Sequence, residues 1–141
     1  MKLTILVADY AVATPDGKLT VVGGGWAFVG PQVGPTALAM LVEVPWGDTN
    51  REHILTVELR DEDGNMPLIG PEAQPVRFEA KLEVGRPPGH PPGAPFNVPI
   101  ALNFPSIPLL PGTRYKWVAS IDGETDPNWE AGFNVRPAAS T

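Results

Sequence analysis

Polar and apolar residues alternate along most of this chain, and the alternation predicts strands. Val76, Phe78, Ala80, Leu82 and Val84 interleave with Arg77, Glu79, Lys81 and Glu83, the period of two expected of a strand with one buried face. Leu55, Val57 and Leu59 repeat it against Thr56, Glu58 and Arg60, and the run ends in the turn composition Asp61-Glu62-Asp63-Gly64-Asn65. Near the start, Leu3 to Val12 and Leu19 to Val29 flank Thr14-Pro15-Asp16-Gly17. There proline presets φ and glycine supplies a positive φ, so the two runs are expected to pair as an antiparallel hairpin.

Thr36 to Val44 differs in being apolar on both faces: Leu38, Met40, Val42 and Val44 on one, Ala37, Ala39 and Leu41 on the other. A second layer or a partner is expected to cover it. Asn97 to Phe104 sets Val98, Ile100, Leu102 and Phe104 on one face, and Pro99, which cannot donate to a ladder, marks an edge or a bulge. Thr113 to Asp122 points Tyr115, Trp117, Ala119 and Ile121 inward, and Ala131, Phe133 and Val135 continue the pattern before a tail at residues 137–141.

About eight short strands result, separated by Gly/Pro turns and without a helix. This predicts an all-β fold, a two-layer antiparallel β-sandwich of immunoglobulin-like or jelly-roll-like type, with an open barrel as the alternative. Residues 1–136 form one domain on this reading. The segment Leu110-Pro111-Gly112-Thr113-Arg114-Tyr115 looks like a tyrosine corner with one extra residue, and Trp117 is expected to point the same way into the core.

Composition sharpens the picture. The 15 glycines and 18 prolines among 141 residues argue against a helical protein, since an interior proline costs a helix roughly 3 kcal/mol. A net charge of −6 disfavours nucleic acid, whose binding gains from neutralised phosphates. The chain has no cysteine, which excludes disulfides, thiolate metal sites and cysteine nucleophiles and is compatible with a reducing compartment. Leu3 to Ala8 is too short for a secretory leader, and no run reaches the ~18 apolar residues of a membrane span. A cytoplasmic protein is expected.

Candidate chemistry is sparse. His53 and His90 are not spaced with carboxylates as metal ligands, and nothing singles out a catalytic pair among 16 acids. Asp9 on an inward parity would be a buried carboxylate, or a group hydrogen-bonded at a bulge or turn. Asp122 to Glu130 spaces oxygen ligands like the start of a calcium loop, but Pro127 stands where that loop needs glycine and no glutamate closes it, so a solvated turn is expected. No catalytic residue, metal or cofactor is assigned.

Contact residues are better supplied. Gly23-Gly24-Gly25 lacks the ending of a phosphate loop and lies in an apolar strand, where it suggests a bulge that turns Trp26 and Phe28 together toward a core or a surface. Trp46, in Pro45-Trp46-Gly47-Asp48, either packs over the end of the fold or anchors a contact. Gly85 to Pro95 holds five prolines in eleven residues, and polyproline II is expected there, with Pro87, Pro88, Pro91 and Pro92 available to a groove on a partner or simply stiffening a loop.

The segments Asp9-Tyr10-Ala11, Asp16-Gly17-Lys18-Leu19, Gly23-Gly24-Gly25-Trp26, Pro111-Gly112, Tyr115, Trp117 and Ile121-Asp122-Gly123-Glu124 resemble a family of small uncharacterised proteins from actinobacteria and related bacteria. The resemblance spans nearly the whole chain and rests on turn and core signatures, so it implies a shared fold and carries no site residue across. The expected function is non-enzymatic: a self-associating or accessory subunit working through protein contact, with Trp26, Phe28, Leu41, Trp46 and the loop prolines as interface candidates. A small-ligand or carbohydrate-binding module using Trp46 and Trp129, and a structural component of a virion or secretion machine, are the alternatives.

Overall fold

Side chains that alternate in character need a backbone that alternates in direction, and in the computed structural model, which describes residues 1–139, nearly every alternating run is a strand. In chain order these are β1 (Lys2–Ala13), β2 (Leu19–Gly24), β3 (Phe28–Val29), β4 (Thr36–Val44), β5 (Glu52–Asp61), β6 (Leu68–Ile69), β7 (Gln74–Pro75), β8 (Arg77–Glu83), β9 (Phe96–Phe104), β10 (Arg114–Ile121) and β11 (Glu124–Val135). Eight of the eleven have six residues or more, and these fall on the eight expected runs. A 3-10 turn at Trp46–Asp48 is the only helical element among the described residues. Positions 140 and 141 of the expected tail lie outside the described residues.

One sheet runs β2-β1-β4-β9 and a second β3-β11-β10-β5-β8, while β6 and β7 make a separate ribbon. All pairings are antiparallel except β3 with β11. Leu38, Met40 and Val42 of the first sheet share one core with Leu55, Leu59, Trp117 and Phe133 of the second. Burial of this apolar surface is the main stabilising term.

The expected hairpin forms, with Tyr10 opposite Val22 and Val12 opposite Thr20. Its partner run does not stay one strand from Leu19 to Val29. Gly23 and Gly25 take φ of +58° and +82°, values that side-chain-bearing residues avoid. The chain therefore leaves the first sheet after Gly24 and joins the second at Phe28, parallel to β11.

The apolar second face of β4 is covered from within the chain. Ala37 and Ala39 are buried against Ala8 and Ala11, with Leu6, Leu19, Val21 and Ala101 packed around them. The upper part of β1, with β2, thus curls over the outer face of β4 and β9. Asn103 of β9 locks the curl: its amide accepts from the Ala11 N–H at 3.2 Å and donates to the Ala11 carbonyl at 2.7 Å. Pro99 lies on β9, an edge strand, where its missing N–H costs no ladder bond.

Two corner devices hold the second sheet. The Tyr115 hydroxyl accepts a hydrogen bond from the Leu110 N–H at 3.1 Å, the phenol-to-turn bond expected of a tyrosine corner. Asp122 and Gly123, both at positive φ (+52° and +81°), join β10 to β11 as the two-residue loop of a hairpin. Beyond it β11 bulges, because Val118 faces Glu130 while Ser120 faces Thr125.

Candidate functional site

The residues expected to make contacts are scattered by the fold. Trp26 is half-buried and packs edge-on against Phe133 at 5.6 Å between ring centroids, so it belongs to the core. Phe28 is 59% exposed at the edge of the second sheet. The two do not turn together, since the break after Gly24 lets the chain rotate between them. Leu41 is half-buried on the outer face of β4, beside Pro99 and Thr4.

Trp46 is built into the loop. The Arg86 guanidinium lies 3.9 Å from its ring centroid and donates to the Trp46 carbonyl and the Thr49 hydroxyl, both at 2.7 Å. His90 and Phe96 stack at 3.7 Å, nearly parallel to the indole and about 6 Å from it. With Arg86 over Trp46, the proline segment is tied back to the fold. It is also turned, not extended: His90 N–H donates to the Pro87 carbonyl and Ala94 N–H to the Pro91 carbonyl, with Gly89 and Gly93 at φ of +88° and +83°. Pro88 and Pro92 precede those glycines, so Pro-Pro-Gly occurs twice as a tight turn of type II character, in place of the expected polyproline II run. Pro87, Pro88, Pro91 and Pro92 remain exposed on these turns.

Trp129 is buried in the core. Asp9 is exposed, not buried; its carboxylate lies where a Cβ on Gly23 would be. The segment Asp122 to Glu130 is hairpin turn and bulge, with the Asp126 carboxylate accepting from the Asn128 N–H at 2.8 Å.

A buried histidine meets a carboxylate 69 residues away in sequence. His53, with 2% of its surface exposed, donates from Nδ1 to Asp122 Oδ2 at 2.6 Å and from Nε2 to the Asp48 carbonyl at 2.7 Å. Asp122 Oδ1 also accepts from the Ile54 N–H at 2.9 Å. Both ring nitrogens meet acceptors, so the ring is held as the imidazolium. Burial opposes that charge and lowers the pKa, but the bonds to Asp122 and to the Asp48 carbonyl outweigh it, and the net shift is upward. The His53 bond is the largest cause that holds Asp122 below its ordinary value, with the Ile54 amide second.

A cavity of about 190 Å³ opens beside this pair, lined also by Arg51, Glu124 and Trp129. His53 presents no free lone pair to it, since both nitrogens donate elsewhere; it can act neither as a base nor as a ligand in this state. The cluster ties β5 to the β10–β11 turn. Sequence reasoning missed it because nothing local signals a contact across so long a separation.

The other feature that sequence reasoning passed over is a row of exposed apolar side chains. Tyr10, Val12 and Val22 stand on the outside of the β1–β2 hairpin, Tyr10 and Val22 directly paired and 51% and 53% exposed. The signal was present, because the hairpin register puts these residues opposite the face that holds Ala11, Leu19 and Val21.

Among the described residues, no helix is long and apolar enough to cross a membrane. A family model described as a family of unknown function (DUF6941) matches residues 3–135, and the chain belongs to that family. No curated protein matches it.

Proposed function

For this member of a family whose function is unknown, we propose a non-enzymatic role: the protein is a self-associating or accessory subunit that acts through protein contact. The observation that carries the reading is the row Tyr10, Val12 and Val22, three apolar side chains side by side on one hairpin face. Fully burying such a side chain is worth roughly 1.5–3 kcal/mol, and half-exposed ones retain about half of that for a partner to gain. The shared core of the two sheets and the Tyr115 corner support a sandwich of immunoglobulin-like or jelly-roll-like arrangement. The cysteine-free composition suits the cytoplasm. A sugar- or ligand-binding role would require open indole faces, yet Arg86 covers Trp46 and Trp129 is buried.

Light scattering behind a sizing column, over a hundredfold range of concentration, tests the reading. A stable multiple of 15.0 kDa is expected. A single-chain mass at every concentration refutes self-association.

A further inference from the structure

We propose that the groove between the β6–β7 ribbon and segment 105–110 binds a neutral aliphatic molecule that carries an acceptor oxygen at one end, of the fatty ester class. The site goes beyond the self-association reading and is independent of it.

Leu68 and Leu110 are the most exposed of the large apolar side chains among the described residues, at 66% and 67%. Both border one hollow of about 470 Å³, with Ile69 and Pro108 beside them. Ile69 and Pro108 also line a second hollow of about 370 Å³, so the two adjoin as one groove. Its far end rests on the stacked rings of Phe78 and Phe104, whose centroids lie 5.2 Å apart. Both volumes fall in the roughly 300–1,000 Å³ range of small-molecule sites. One wall is a ribbon that pairs only with itself. No backbone hydrogen bond among the described residues joins it to segment 105–110, so a molecule between the walls displaces no such bond.

The chemistry of the walls selects the ligand. Pro67, Pro71, Pro75, Pro105 and Pro108 lie along the groove. Each lacks an N–H, so the walls offer an extended peptide few donors to pair with. Arg77 is the one charged residue that lines either hollow, and Glu58 and Glu79 already meet its guanidinium at 3.4 and 3.6 Å. An ionic head would lose its water there without gaining a free counter-charge.

The buried polar group that borders the groove asks for an acceptor. Tyr115, 2% exposed, lines the hollow of Leu68 and Leu110. Its hydroxyl oxygen accepts from the Leu110 N–H, and the hydroxyl proton reaches no acceptor among the described residues. A phenol both accepts and donates, so this proton is available to a carbonyl oxygen while the corner bond stays in place. Apolar walls with one placed donor hold an aliphatic chain and fix its oxygen end. The site uses no indole face, so the cover over Trp46 and the burial of Trp129 do not close it.

The test uses N-phenyl-1-naphthylamine, a neutral probe that brightens in apolar surroundings, with methyl decanoate and decanoate as competitors and far-UV circular dichroism on every variant. The wild type is expected to take up the probe saturably, one per chain, and methyl decanoate to displace it at least about tenfold more effectively than decanoate. Leu68→Glu and Leu110→Glu each bring a carboxylate to an apolar wall and should weaken probe binding about tenfold or more. Both side chains are exposed, so the fold is expected to persist. Tyr115→Phe should weaken methyl decanoate about fivefold and leave the probe within about twofold, since only the ester has an oxygen to accept the proton. Val22→Glu, on the hairpin face, should change neither. Absence of saturable uptake, uptake unaltered in both leucine variants, or uptake lost in Val22→Glu overturns the groove. If decanoate competes as well as the ester, or Tyr115→Phe leaves the ester unaffected, the assigned ligand class is overturned. Light scattering on the same samples keeps the two readings apart. A single-chain mass with saturable binding refutes self-association and supports the groove. A multiple mass that falls only in the leucine variants, without probe uptake by the wild type, assigns the groove to a contact between copies and overturns the ligand site.

Discussion

Replacing Asp122 by asparagine tests whether His53 is held as a buried cation. Asparagine suits the positive φ of this turn position, so the hairpin loop itself should persist. The carboxylate accepts two bonds, from His53 Nδ1–H and from the Ile54 N–H. An amide oxygen can keep the Ile54 bond, and the amide nitrogen then donates to a deprotonated His53 Nδ1 while Nε2–H still donates to the Asp48 carbonyl. The variant thus exchanges an imidazolium–carboxylate bond for a neutral one. Charge-assisted bonds contribute about 1.5–3 kcal/mol against about 0.5–1.5 for neutral ones. The Asp122 side chain is 47% exposed, so solvent screening reduces the difference to about 1 kcal/mol.

The pH dependence gives the refutable signature. His53 titrates above its ordinary 6.5 in the folded protein, so its contribution is complete below pH 6.5 and is lost as pH rises through the raised value. Asp122 titrates below 3.8, so its contribution is present above that value and is lost as pH falls through the lowered one. Between these limits both partners are charged. Urea unfolding of wild type and Asp122→Asn should show the largest stability difference near pH 5.5, shrinking toward pH 9. A difference that is flat, or that grows with pH, would show that His53 is neutral when buried and refute the reasoning.

Three further outcomes are expected. Tyr115→Phe leaves the Leu110 N–H without its acceptor and should cost about 1–2 kcal/mol in urea unfolding, with the fold retained. Asn103→Ala removes both bonds to Ala11, and hydrogen exchange at Ala11 should accelerate at least about tenfold relative to the β5 amides, because the curl of β1 loses its latch. Gly23→Ala drives a Cβ into the Asp9 carboxylate and forces a strained φ; a loss of about 1–3 kcal/mol is expected by thermal unfolding, with Asp9→Ala recovering only the steric part.

Much of the fold is legible in the linear pattern because strand periodicity is local. The alternation at Val76 to Val84 and at Leu55 to Arg60 needs only adjacent residues to reveal a buried face, and β8 and β5 lie there. Thr14-Pro15-Asp16-Gly17 encodes a turn in the same way, and so does the Leu110 to Tyr115 corner. The split of Leu19 to Val29 was less visible: three glycines permit many backbone paths, and the path taken depends on β11 being there to receive Phe28. The prolines of Gly85 to Pro95 suit an extended or a turned chain, and Arg86 stacked on Trp46 accompanies the turned one.

The sequence by itself determined where the longer strands run and where most of the chain reversals fall, since both follow from the alternation of side-chain polarity and the φ preferences of proline and glycine. It also determined that one strand, Thr36 to Val44, would need cover on both faces. Only the tertiary structure decided what supplies that cover: the hairpin of the same chain, latched through Asn103. It likewise decided that His53 meets Asp122, that Trp26 parts from Phe28, and that β2 lies at the edge of its sheet. Each of these is a contact, or its absence, between segments far apart in sequence, and depends on strand order and register, which periodicity leaves open.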